Sequence, residues 1–145
     1  MAHFVDRIKN NKPIAATLLR SFAFLYSDNI PLKLFEKHSK NILELDKPLA
    51  CRTLNTAINY LGSFSLVRRT ILETADNEDP AKDTLTIHRL VQIVILLDIE
   101  LEEKLQYCRR IITVLHQEVH PQLQSSNNEQ HNLELYVPHI RHVAL

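Results

Sequence analysis

One histidine stands where local geometry favours an anion. The run Leu85-Thr86-Ile87 is of β type, His88 follows, and Arg89-Leu90-Val91-Gln92 opens an apolar helical pattern. A histidine at a helix start sits beside unpaired backbone N–H groups and a partial positive charge, and both favour an approaching phosphate. Imidazole can donate to a phosphate oxygen and titrates near neutral pH. The same position also suits a histidine that only caps or packs a strand–helix junction, and both readings stand on the sequence. The remaining candidates read as structural. His116 and His120 lie four apart on a helix, but Glu118 is two residues from each, so this is not an H-E-x-x-H zinc motif. They and the pair His139 and His142 read as solvated surface histidines. Cys51 and Cys108 fall in apolar helical patterns without an activating partner, which predicts buried free thiols in a reducing compartment. Glu102 with Glu103 and Glu78 with Asp79 read as solvated charges. No catalytic set and no metal set is expected, so the chain alone is not read as an enzyme.

Composition narrows the field further. Lys+Arg and Asp+Glu number 17 each, a formal net charge of zero, whereas a nucleic-acid binder normally carries a basic excess. Arg52, Arg68 and Arg69, with Thr53, Asn55, Thr56 and Asn59 on one helix, offer base-contacting chemistry. The acidic residues Glu73, Asp76, Glu78, Asp79 and Asp83 oppose it, because they would meet the phosphate backbone unfavourably. Gly62 is the single glycine, so neither a P-loop nor a Rossmann turn can form. No apolar run is long enough to span a membrane and no signal-peptide pattern opens the chain, so cytoplasm is the expected location.

These residues need elements to position them. Pro13 to Tyr26 reads as a helix capped by Asn10 or Asn11, with Ile14, Leu18, Leu19, Phe22 and Leu25 on one face. Asp28 is expected to cap a shorter helix with Pro31 in its first turn. A third helix covers Leu49 to Leu61, with Gly62 at its C-cap. Ser65 to Thr74 and Asp83 to Ile87 read as two strands joined by the polar loop Ala75–Lys82. Leu90 to Ile99 is apolar nearly all round, which predicts a helix buried on several sides. Leu101 to Val119 is a long amphipathic helix on Leu101, Leu105, Cys108, Ile111, Ile112 and Leu115. Gln122 to His131 is polar, and Leu133 to Leu145 starts a further helix whose pattern stops at the last residue, as in a truncated array.

Helix, strand, turn, strand and helix in this order outline a winged helix, and three stretches carry a resemblance. Ile14-Ala15-Ala16-Thr17-Leu18-Leu19-Arg20-Ser21-Phe22-Ala23-Phe24-Leu25 with Asp28-Asn29-Ile30-Pro31, the passage from Leu54 into Ser65-Leu66-Val67-Arg68-Arg69, and Leu85 to Gln92 resemble the segment that follows the ATPase core in STAND-type nucleotide switches of the NB-ARC class. Leu135-Tyr136-Val137-Pro138-His139 resembles the helix entering a tetratricopeptide array in those proteins. The third stretch is the most specific. In that family it is Met-His-Asp, whose histidine approaches the β-phosphate of ADP in the resting state. Ile87 takes the Met place, His88 the His place and Arg89 the Asp place, and the base at Arg89 reverses the local charge.

The resemblance implies a mainly α fold: a winged-helix domain over residues 1–100 with a small two-stranded hairpin, then a helical linker and the start of helical repeats over 101–145. It implies a non-catalytic regulatory module, with His88 and Arg89 at the nucleotide-sensing position and ADP or ATP held by a neighbouring ATPase domain rather than by this chain. The partners are then the ATPase and repeat domains and other proteins, without nucleic acid or membrane. The residues by themselves also fit a stand-alone helical interaction module or a winged-helix DNA-binding domain. The switch reading requires apolar faces left open where neighbouring domains belong.

Overall fold

The computed structural model describes residues 2–47, 49–70, 83–122 and 137–142. Helix α1 spans Ala2–Asn11 and α2 spans Pro13–Phe22. Lys12 breaks them apart with φ −143° and ψ 83°, and Pro13 begins the second helix where its missing N–H has no cost. Asn10 and Asn11, expected as caps of the second helix, instead close α1, which buries Ile8, and no side chain caps α2. Ala15, Ala16, Leu18, Leu19 and Phe22 recur at helical spacing and are fully buried. Burying each large side chain of this kind contributes about 1.5–3 kcal/mol. The Phe22 ring meets Phe35 edge-on at 4.8 Å between centroids.

Strand β1, Ile30–Pro31, follows α2, and α3 spans Leu32–Ile42. Here the expected Asp28 cap is corrected. Asp28 is exposed, and Ile30 and Pro31 pair antiparallel with Leu85 and Thr84 before the chain turns helical. Pro31 has no N–H to lose, and the Leu32 N–H donates to the Asp83 carbonyl at 3.1 Å. Helix α4 spans Cys51–Ser63. Its end also differs from expectation. Gly62 lies inside the last turn, and Ser65 takes the left-handed conformation at φ 59°. Leu66 and Ser65 N–H groups return to the Leu61 and Gly62 carbonyls, a Schellman closure.

Strands β2, Val67–Thr70, and β3, Thr84–Ile87, pair antiparallel from Val67↔Ile87 to Thr70↔Thr84. The sheet order is β1-β3-β2, three strands where the sequence predicts two. The expected strand residues 71–74 and the loop 75–82 lie outside the described residues. Helix α5 spans Arg89–Asp98 and α6 spans Leu101–Gln122, and a short helix α7 covers 137–142. The protein is thus mainly helical, and α2-β1-α3-α4-β2-β3 follows winged-helix order with its sheet closed by β1.

Helix α6 packs along α3 and lends Tyr107, Ile111, Val114 and Leu115 to the same core as α2, α3 and α4. Helix α6 is therefore continuous in packing with the described helices α2, α3 and α4. Polar contacts that pin α6 include Arg20 to Glu103 at 3.5 Å, Arg110 to Glu44 at 2.7 Å, and a buried cluster at Glu118.

Candidate functional site

His88 has extended backbone, φ −69° and ψ 136°, and is the N-cap of α5. Its Nδ1 accepts a hydrogen bond from the Leu90 N–H at 3.1 Å. The neutral ring therefore carries its hydrogen on Nε2, and the residue is exposed. Capping and an outward donor coexist in one side chain. Arg89 turns elsewhere: its guanidinium lies 5.9 Å above the Tyr26 ring, in the connection after α2. The two neighbours in sequence thus serve different surroundings.

The start of α5 is held from two sides. The Ile87 N–H donates to the Ser27 carbonyl at 2.9 Å. Gln92, buried, donates through Nε2 to the Phe22 carbonyl at 3.1 Å and the Leu25 carbonyl at 2.8 Å. The Phe22 carbonyl also accepts from the Leu25 N–H at 3.2 Å, so Gln92 adds to the closing turn of α2 while anchoring α5 to it. A polar residue alone inside the apolar run Leu90–Leu97 is the sequence signal for such a role.

The outer face of α5 corrects a further expectation. Gln92 and Ile95 are buried, but Leu90 is 65% exposed, Ile93 52% and Leu97 79%. The helix meets the body along one face, so its all-round apolar composition leaves the opposite face in water. Leu101, Leu105 and Ile112 on α6 are exposed as well. Beside it a groove of about 340 Å³ opens between the end of α2, α5 and α7, with Tyr26, Arg89, Ile93, Leu96 and His142 among its walls.

The other candidates separate. His139 is fully buried rather than solvated, its ring Nε2 2.9 Å from the Asn29 carbonyl and its Nδ1 without a hydrogen-bond partner among the described residues. Burial first, and the His142 charge with it, pushes the His139 pKa down against the lift from that hydrogen bond. His142 is exposed and meets the Tyr26 ring at 6.2 Å, and His116 is exposed. The side chain of His120 lies outside the described residues. Cys51 is exposed, at the first turn of α4, and Cys108 is half-buried; both are free thiols. The hydrogen bond to Glu36, then burial, raises the Cys51 pKa, and burial raises that of Cys108, so neither thiol is activated.

Arg69 is engaged by Asp83, with Nε and a terminal nitrogen each 2.7 Å from Oδ2, and by the Asn55 amide oxygen at 3.0 Å. It thereby fastens α4 to the sheet. Arg52 and Arg68 are exposed. The other acidic residues expected on the wing, Glu73 to Asp79, lie outside the described residues.

Sequence reasoning missed the cluster between α3 and α6. His38 Nε2 lies 2.6 Å and Lys37 Nζ 2.9 Å from Glu118 Oε1. His38 leaves helical backbone geometry at φ −114° and ψ 21°, a kink within α3. Burial acts to raise the Glu118 pKa, but the hydrogen bonds from His38 and Lys37, with their charges, outweigh it and hold the carboxyl below its ordinary value. Eighty residues separate the partners, so no local pattern could reveal them. Among the described residues no group of three or more His, Cys, Asp or Glu side chains could hold a metal ion, and no helix is long and apolar enough to cross a membrane.

A family model described as a domain of unknown function, DUF7779, matches residues 6–104. The chain belongs to this family. The DUF7779 match takes in the whole sheet, His88, Gln92 and the outer face of α5, and ends in the first turn of α6. No curated protein and no solved structure matches the chain.

Proposed function

We propose that this chain is the regulatory winged-helix module of a STAND/NB-ARC-type ATPase. It would couple the nucleotide state of an adjoining ATPase domain to a helical, tetratricopeptide-type array in the cytoplasm, through protein contacts and without chemistry of its own. ADP or ATP would belong to the ATPase domain, with His88 as the group that meets it. The observation that carries this reading is the apolar surface of Leu90, Ile93 and Leu97, open to water directly behind His88. Surfaces of this kind mark contacts with other domains or proteins. The engagement of Arg69 by Asp83 and Asn55 supports partners other than nucleic acid.

The test separates capping from sensing. His88→Asn retains an N-cap side chain, whereas His88→Ala removes it. In the full-length parent both variants should release ADP faster, by about 5- to 150-fold for a usual allosteric coupling, while only His88→Ala should lower thermal stability. Unchanged ADP release in both variants leaves His88 a cap and sinks the sensing role. A second reading, a stand-alone helical interaction module, is favoured by the packing of α6 into the same core as α3. A P-loop encoded upstream in the same reading frame decides for the switch, and its absence decides for the stand-alone module.

A further inference from the structure

We propose that the groove between α2, α5 and α7 receives an acidic amphipathic helix of a partner protein, with its apolar side chains on Ile93 and Leu96 and a carboxylate paired with Arg89. This gives Arg89 a partner other than a nucleotide, and it names an occupant for the same open face of α5 that carries the switch reading.

Charge complementarity selects the occupant. Among the described residues no acidic side chain lines the groove. Arg20, Lys37, Arg69 and Arg110 each have a carboxylate partner. Among the described residues Arg89 has instead the face of Tyr26, whose ring also meets His142 on the far wall. A guanidinium over an aromatic face is held in place yet keeps its N–H donors for a carboxylate. Shape selects a helix. Leu90, Ile93 and Leu97 lie at i, i+3 and i+7 along α5 and stand open to water beside the groove. A partner helix with the same spacing would lay one apolar face along them, the helix-in-groove mode. The two hydrogen bonds from Gln92 to the end of α2 fix the floor, so little ordering is needed on binding.

The probe is a fluorescein-labelled helical peptide with leucines at i, i+3 and i+7 flanked by glutamates, with a counterpart carrying lysines instead. Fluorescence anisotropy with this chain should show saturable binding of the glutamate peptide and weak binding of the lysine peptide. Arg89→Glu should weaken the glutamate peptide by about tenfold, since an attraction is replaced by a repulsion, and should improve the lysine peptide. Arg89→Gln should fall between. Arg52→Glu, the same charge change on the exposed side of α4, should leave both affinities unchanged. Circular dichroism checks that each variant keeps its helix content. Absent saturable binding, equal affinity for the two peptides, or an equal effect of Arg52→Glu would each overturn the proposal.

Discussion

The outer face of α5 and the seam between α3 and α6 invert the usual arrangement in opposite senses. On α5, leucines and an isoleucine stand in water. In the seam, a carboxylate that is 5% exposed sits against a histidine and a lysine. The exposed apolar face adds nothing to folding of this chain and is free to change partner. The buried carboxylate is stable only while both neighbours hold it, so it fixes how α6 lies on α3. The contrast teaches that the specificity of this fold is polar and internal, while its adhesive surface is apolar and external.

The strongest way to break the contrast is His38→Ala. It would leave Glu118 buried with Lys37 alone, and should cost about 3 kcal/mol, read as a lower urea midpoint. Gln92→Ala should come next. It removes the buried amide that ties α5 to the Phe22 and Leu25 carbonyls and should cost about 2 kcal/mol, with faster amide exchange at the end of α2 and the start of α5.

Acid should dissolve the two buried histidine contacts in sequence. The His139 pKa is depressed in the folded state, so the unfolded state binds more protons below the ordinary histidine value of 6.5. Stability from His139 is therefore full above about pH 6.5 and falls as pH drops toward the depressed value. Glu118 is likewise depressed, from 4.5, so its contribution is full above that value and is lost as pH falls through the folded pKa. Histidine resonances should report release of α7 first, and far-UV dichroism loss of the α3–α6 seam at lower pH. A single coincident transition would refute this order. The smallest effect sharpens the contrast from the other side. Leu97→Gln on the open face of α5 should change stability by no more than about 0.5 kcal/mol while weakening binding of the glutamate peptide in the anisotropy titration.

Much of the fold was legible because helical periodicity is local. The apolar spacing of Ile14 to Leu25, Leu54 to Leu61 and Leu101 to Leu115 placed α2, α4 and α6, and the β-branched residues around Val67 and Ile87 placed the hairpin. Helix α1 was passed over, since its one described core residue is Ile8. Strand β1 was hidden by its length of two residues and by Pro31, which reads as a helix opener. Gly62 drew the C-cap toward itself, although Ser65 tolerates the left-handed turn. At the candidate site, the place of His88 at a strand–helix junction was read correctly from seven residues around it, whereas its cap to Leu90 and the departure of Arg89 toward Tyr26 depend on side-chain direction.

The sequence by itself determined the helices α2, α4 and α6, that a hairpin precedes α5, and that His88 opens that helix, because each follows from backbone preference and side-chain period over a few residues. The tertiary structure decided the rest. Whether an apolar helix face is covered, whether a histidine is solvated, and whether a carboxylate is paired depend on which distant surface arrives. His38 meets Glu118 across 80 positions and His139 meets Asn29 across 110, and the free energy of such contacts comes from desolvation, which exists only once the chain has folded.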